Sequence, residues 1–134
     1  MSGKRTPFYN LHISLNAKMA DFVGFQMPIQ YPTGITKEHE IVRTGVGVFD
    51  VSHMGEFEIT GPDRNAFANR VTCNDVGALV DGQAQYSALL AENGTFIDDC
   101  LVYRFDDKLM IVVNAANIAK DWQLLVLKKA GINV

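Results

Sequence analysis

The sequence has little cysteine, no excess of basic residues and no long apolar run, and each shortage argues against a class of protein. Its two cysteines in 134 residues, Cys73 and Cys100, have no cysteine or histidine at metal-ligand spacing, which predicts reduced core thiols and no metal site. The net charge of −3 gives no electrostatic reason to expect nucleic acid. No apolar stretch approaches the roughly 20 residues that span a bilayer, and no signal or transit segment is recognisable.

Two adjacent carboxylates, Asp98 and Asp99, stand inside the otherwise largely apolar run from Phe96 to Arg104. Such a run predicts a buried or half-buried strand. Successive side chains of a strand point to opposite faces, so Asp99 shares a face with Leu101 and Tyr103 and Asp98 does not. A carboxylate beside an aliphatic group and a phenol could line a site for a flat, nitrogen-bearing ligand. Alternatively, both acids simply mark the start of a strand at a hairpin.

The pattern from Gly55 onward predicts an α+β domain. A strand, a helix, three strands, a helix and a last short strand follow one another, and Asn93-Gly94 predicts a hairpin between the second and third strands. This order is close to a ferredoxin-like antiparallel plait, β-α-β-β-β-α-β. The predicted later strands cover residues 83–90, 96–104, 109–113 and 132–134. The first helix begins near Pro62, and the second begins at Asn117, which is its candidate N-cap.

The N-terminal part of the chain shows no comparable pattern. Prolines and glycines interrupt residues 1–35, which are predicted to be irregular. A short helix is predicted from Thr36, as its N-cap, to Arg43, followed by a strand over residues 46–51. We therefore predict two domains: an incomplete first domain over residues 1–54 and the plait over residues 55–134.

Two local features suggest chemistry but are better explained by structure. Gly45-x-Gly47 follows a helix and lacks a third glycine, whereas a dinucleotide fingerprint follows a strand and opens a helix. His53 has no nucleophile or second metal ligand near it in the sequence, so it is predicted to be a hydrogen-bonded structural residue.

Several motifs occur together along essentially the whole chain. The most specific is Gly47-Val48-Phe49-Asp50-Val51-Ser52-His53-Met54-Gly55-Glu56, and the others include Gln85-Tyr86-Ser87, Ile97-Asp98-Asp99-x-Leu101-Val102-Tyr103 and Val112-Val113-Asn114-Ala115-Ala116-Asn117-Ile118-x-Lys120-Asp121. In combination they resemble the aminomethyltransferase of the glycine cleavage system, its T-protein. Members of that family are longer and fold as three domains around a central folate site. The resemblance thus implies the N-terminal portion: the first segment of a folate-binding first domain, followed by the plait.

The resemblance also implies a reaction and a site. The family moves the one-carbon unit from the aminomethyl group on the lipoyl arm of H-protein to tetrahydrofolate and releases ammonia. Asp99 matches the family's essential carboxylate beside the reacting nitrogen of the folate, whereas Asp98 is predicted to be structural. The other implied site residues are the folate-contacting Tyr86, Leu101 and Tyr103, Met54 near the site, and Asn114, which would orient the acid.

Other functions remain open at this stage. The chain could be a non-catalytic folate-binding or interaction fragment of the same family. A relative that serves iron–sulfur assembly or demethylates another substrate is disfavoured by residues 50–54. The implied partners are lipoylated H-protein and tetrahydrofolate, with no metal, nucleic acid or membrane. We also expect self-association, because an incomplete first domain leaves apolar side chains uncovered. The expected location is the bacterial cytoplasm, or the mitochondrial matrix in a eukaryote.

Overall fold

A computed structural model describes residues 3–134 and divides after His53 into two compact units. The described part of the first unit comprises β1 (Lys4–Arg5), α1 (Tyr9–Ser14), β2 (Lys18–Phe22), β3 (Phe25–Gln30) and α2 (Ile35–Thr44). The second unit comprises β4 (Gly55–Ile59), α3 (Arg64–Val71), a 3-10 helix (Val76–Ala78), β5 (Ala84–Leu90), β6 (Phe96–Arg104), β7 (Leu109–Val113) and α4 (Ile118–Lys128). None of the helices within residues 3–134 could cross a membrane, since each is too short or too polar.

The first unit contains a three-stranded sheet where the sequence predicted irregular chain. β3 lies in the centre, antiparallel to β2 and parallel to β1. Pro28 lies within β3, which normally argues against a central strand because proline has no N–H to donate. β1 pairs only with Phe25 and Gln26, so Pro28 lies beyond the end of β1 and loses no bond on that side. The prediction of irregular structure over residues 1–35 was therefore wrong for residues 3–35, and its first two residues lie outside the described part of the chain.

Two further expectations for the first unit were wrong. The helix predicted from Thr36 to Arg43 is present as α2, but its N-cap is Gly34 and Thr36 lies inside it, so the predicted N-cap was wrong. Residues 46–51 form no strand, and Val46 and Val48 are 84% and 97% exposed. An apolar run becomes a strand only when a neighbouring strand satisfies its backbone, and this run pairs with none in the described part of the chain.

A buried polar network ties α1 to the end of the first unit. His12 Nε2 lies 2.8 Å from Asp50 Oδ2, and His12 Nδ1 lies 2.8 Å from the Tyr31 hydroxyl. The Thr6 hydroxyl donates to the same Asp50 oxygen at 2.7 Å. Burial alone would raise the pKa of Asp50, but the hydrogen bonds from His12, Thr6 and Ser52 outweigh it and hold the pKa well below its usual range. Asp50 is thus an ionised acceptor at the centre of this network.

His53 packs differently from the expectation. Its ring lies edge-on to Phe22 and Phe25, with centroid separations of 5.6 and 6.1 Å. Its Nδ1 atom is buried and has no hydrogen-bond partner among residues 3–134. The residue is held by aromatic packing, so the expectation of a hydrogen-bonded histidine was wrong at this nitrogen.

The second unit is an α+β plait built on one antiparallel sheet. The strand order is β4-β7-β6-β5, and every neighbouring pair is antiparallel. The inward side chains of the strands pack against α3 and α4, including Phe67 and Leu125 of those helices. The predicted α+β class and the order strand, helix, three strands, helix are confirmed. The opposite face of the sheet is uncovered by any helix of this unit and carries half-buried or exposed side chains, among them Tyr86 and Leu101.

The last predicted strand, over residues 132–134, is not formed. Ile132 and Val134 still pack against the core, but Asn133 donates its N–H to the Asp63 carboxylate at 3.1 Å instead of to a strand. Gly61 allows this approach, since it has a φ of +94° and a Cβ there would lie 2.6 Å from the Asn133 carbonyl oxygen. Residues 132–134 are therefore held by the loop around Asp63 and do not pair with β4.

Candidate active site

The alternation of β6 places its two acids on opposite faces of the sheet. Asp98 is buried under the helices, whereas Asp99 is half-buried on the open face. In the ladder with β5, Asp99 stands opposite Ala88, and Leu101 stands opposite Tyr86. Ala88 is small and buried, and Tyr86 lies diagonal to Asp99 across the strand pair.

Two side chains from neighbouring strands hold the Asp99 carboxylate. The Tyr86 hydroxyl donates to Oδ2 at 2.8 Å, and Asn114 Nδ2 donates to Oδ1 at 2.6 Å. The hydrogen bond to the Asp99 carboxylate raises the pKa of the Tyr86 phenol. A carboxylate has about four lone-pair positions, so both oxygens can still accept a further donor. The group is therefore oriented, yet it can still bind a ligand N–H.

Asn114 can serve both acids because it lies just past the end of β7. Cys100 pairs with Val113, the last residue of that strand, so Asn114 follows directly opposite Asp99. Its Nδ2 atom lies 2.6 Å from Asp99 Oδ1 and 3.1 Å from Asp98 Oδ1. Because both neighbours are acceptors, they fix which end of the amide faces them.

Behind Asn114 lies a buried pair of acids, Asp98 and Asp121. Asp121 is fully buried on α4. Burial, reinforced by a hydrogen bond to Asp98 and by the charge of that residue, raises the pKa of Asp121 to about 7. Burial would also raise the pKa of Asp98, but hydrogen bonds from Asn114, Asp121 and Asn117 together hold it below its usual value. One carboxyl of the pair is thus ionised while the other keeps its proton.

The structure brings three of the six residues predicted for the site into hydrogen-bond contact: Tyr86, Asp99 and Asn114. Leu101 lies on the same face one pleat along β6, and Tyr103 lies one pleat further, opposite Ala84. Met54 is not part of the hydrogen-bonded group. It is half-buried and lies immediately before β4, whose first residue, Gly55, pairs with Val113.

Sequence reasoning missed the roles of Asn117 and Asp121. Asn117 lies at the predicted N-cap position of α4, but its side chain makes no cap bond and instead donates to Asp98 Oδ1 at 2.8 Å. The spacing of Asn114, Asn117 and Asp121 places three polar side chains along one side of a helix start, which was the available signal. Within residues 3–134, no three His, Cys, Asp or Glu side chains are grouped so that they could hold a metal ion.

Comparison with known proteins identifies the family. The GCVT N-terminal domain model matches residues 8–134. The chain belongs to the GCVT N-terminal domain family. Among its relatives, the aminomethyltransferase of Flavobacterium psychrophilum is 55% identical over 120 residues, which are 89% of this chain and 33% of that protein. The aminomethyltransferase of Chloroherpeton thalassium is 53% identical over 123 residues, or 91% of this chain and 34% of the relative.

A solved structure gives the same result for this GCVT domain chain. The glycine cleavage system aminomethyltransferase T from Bartonella henselae superposes with a TM-score of 0.87 at 33% identity, covering 97% of this chain and 36% of that one. The predicted resemblance to the N-terminal portion of the T-protein is therefore confirmed. The chain spans about a third of the length of the relatives it matches.

Proposed function

We propose that this GCVT domain chain supplies the catalytic carboxylate of a glycine cleavage aminomethyltransferase. The reaction moves a one-carbon unit from the aminomethyl group of lipoylated H-protein to tetrahydrofolate and releases ammonia. The observation that carries the proposal is the Asp99 carboxylate, which lies on the open sheet face and is oriented by Tyr86 and Asn114. The family membership supports the same reaction class.

Asp99 suits a reaction in which positive charge develops on nitrogen. Formation and transfer of a one-carbon iminium place such charge on the reacting amine, and a fixed carboxylate stabilises it without reorganising during the step. The Tyr86 and Asn114 hydrogen bonds hold the Asp99 oxygens in place before substrate arrives, which is the preorganisation that makes such stabilisation effective. Leu101 and Tyr103, on the same face, offer apolar and aromatic surface to a flat ring.

Asp99→Asn should weaken the binding of tetrahydrofolate to this chain. A hydrogen bond to a charged group is worth about 1.5–3 kcal/mol, which corresponds to roughly 10- to 100-fold in affinity. Calorimetric titration with tetrahydrofolate measures this difference directly. The matched control is Glu56→Gln, which removes an exposed carboxylate from β4 of the same sheet and should leave the affinity unchanged.

The outcomes of this titration separate the candidate functions. Equal affinity in the Asp99→Asn and unaltered chains would refute a ligand contact for Asp99. Binding that depends on Asp99 without turnover of aminomethylated H-protein would favour the non-catalytic folate-binding fragment. No binding to either protein would mean that residues 1–134 do not form the folate site alone.

The proposed partners follow from the reaction. They are lipoylated H-protein, which carries the aminomethyl group, and tetrahydrofolate, which accepts the one-carbon unit. We place the reaction in the bacterial cytoplasm, a choice supported by the bacterial sources of the relatives.

A second copy of the chain is a further proposed partner, through the first unit. Val46, Val48 and Phe49 are all more than two-thirds exposed, and burying such side chains is worth about 1.5–3 kcal/mol each. Light scattering should therefore show self-association that Val48→Ser with Phe49→Ser reduces. Leu127→Ser on α4, also exposed, is the control. A monodisperse monomer whose residues 3–50 resist hydrogen exchange would contradict this prediction.

A further inference from the structure

We propose that Asp98 and Asp121 form a carboxyl pair that holds one proton and positions Asp99 through the Asn114 amide. The inference rests on the proposed function, because it gives Asp99 the role described there. It assigns positioning roles to two residues that do not reach the open face of the sheet. The resulting chain of contacts runs from α4 through Asp98 of β6 and Asn114, just past the end of β7, to the site.

The first step is the burial of the pair. Asp121 is fully buried and Asp98 is 5% exposed. Asp98 Oδ2 and both Asp121 oxygens lack any N–H or hydroxyl donor within residues 3–134. Two neighbouring buried carboxylates with these unpartnered oxygens cannot both stay ionised, because desolvation and mutual repulsion favour the neutral form of one. A proton shared between the two carboxyl groups satisfies Asp98 Oδ2 and one of the two Asp121 oxygens.

The second step concerns the side of Asp98 away from Asp121. Its Oδ1 atom accepts from Asn117 at 2.8 Å and from Asn114 at 3.1 Å. These two amides favour the ionised form of Asp98, so the proton belongs to Asp121. The ionised Asp98 in turn attracts one hydrogen of the Asn114 amide, while the other hydrogen points to Asp99 Oδ1.

The third step is the connection to pH. When the shared proton leaves, the two negative charges repel each other and attract the Asn114 amide more strongly toward Asp98. The hydrogen bond from Asn114 to Asp99 then lengthens or turns. The charge of Lys120, whose ammonium donates to the Ile97 carbonyl, opposes the rise in the pKa of Asp121. The other titratable groups near the pair are the buried Cys100 thiol, whose pKa both acids raise, and Asp99 across the Asn114 amide. Burial raises the pKa of Cys100 to about 12, so this thiol stays neutral across the range that matters.

Nuclear magnetic resonance of the whole chain tests the proposal without any ligand. The Asn114 side-chain amide and the Asp99 carboxyl carbon should both show a titration step near pH 7. Asp121→Asn should abolish that step at both positions, because an amide has no proton to lose there, and the Glu56→Gln control should retain it. Asn114→Ser should remove the step from Asp99 alone, which gives a second test if Asp121→Asn folds poorly.

Two results would overturn the proposal: no step near pH 7 at Asn114 and Asp99, or a step that persists in folded Asp121→Asn. A calorimetric pH profile adds a functional readout, in which tetrahydrofolate affinity falls above pH 7 in the unaltered chain but not in Asp121→Asn. A resonance step without such a fall would reduce the pair to a structural role and also count against the proposal. If the chain binds no tetrahydrofolate, the proposed function of the isolated chain is refuted. The titration step at Asn114 and Asp99 then decides by itself whether the acid pair positions Asp99.

Discussion

The unaltered chain should lose about 4 kcal/mol of unfolding free energy as the pH rises from about 4 to about 7, and Asp121→Asn should abolish this loss. The pKa of Asp121 is raised to about 7 in the folded state, against about 4 when unfolded. Below pH 4 both states hold the proton. Between the two values only the folded state holds it, so stability falls as pH rises, and above pH 7 the loss is complete.

Urea unfolding followed by tryptophan fluorescence measures this effect in the relevant unit. The single tryptophan, Trp122, follows Asp121 in α4 and lies 5.4 Å from Phe57 between ring centroids. The difference between Asp121→Asn and the unaltered chain should grow with pH in favour of the variant. Asp107→Asn, an exposed turn residue, is the control and should give a constant difference. Parallel curves for Asp121→Asn would show that the acid is already ionised in the folded chain.

Asp50→Asn should destabilise the first unit by about 1.5–3 kcal/mol, because it removes the charged acceptor of the buried hydrogen bonds from Thr6 and His12. The pKa of Asp50 lies well below its usual range in the folded state. Its contribution is therefore present above about pH 4 and is lost as pH falls below that value. This sign is opposite to that of Asp121, so the two units should lose stability at opposite ends of the pH range.

The first unit has no tryptophan, so its stability is measured by hydrogen exchange of the β2 and β3 amides. Protection of these amides should drop in Asp50→Asn at neutral pH. Glu40→Gln breaks the exposed ion pair between Lys37 and Glu40, whose atoms lie 3.0 Å apart, and should change protection by no more than about 1 kcal/mol. Equal protection in both variants would mean that Asp50 contributes no more than a surface charge.

The second unit was predicted well because the sequence features that specify it, alternation and turn residues, extend over only a few residues. Alternation from Asp98 to Arg104 placed Asp99, Leu101 and Tyr103 on one face, as observed. Ile97, just before this stretch, lies at a register shift in the pairing with β5 and packs against the core. The Asn93-Gly94 pair predicted the hairpin that joins β5 to β6, where Gly94 has a φ of +79°. Alternation and turn chemistry act over a few residues, so they can be read without the tertiary structure.

The features that the sequence did not predict depend on contacts between distant residues. The sheet of the first unit depends on β1 ending before Pro28, which no local rule states. The Asp98–Asp121 pair joins a strand and a helix that are 23 positions apart, so composition and periodicity do not reveal it. Asn117 was predicted as an N-cap from its residue type, whereas the buried acid nearby provides its side chain with a different acceptor.

Asp98 and Asp99 are adjacent and point to opposite faces of the sheet, so an insertion of an odd number of residues in β6 changes which side chains lie on which face. If one residue were inserted into β6 before Asp98 and the pairing after it stayed the same, every β6 side chain on the N-terminal side of the insertion would point to the opposite face of the sheet. A one-residue slip of β6 as a whole would move the buried acid to the open face and turn Asp99 toward the core. Length changes in the Ala91–Thr95 loop leave both acids where they are. We therefore expect related chains to vary the length of this loop and to keep the alternation of β6 from Asp98 onward.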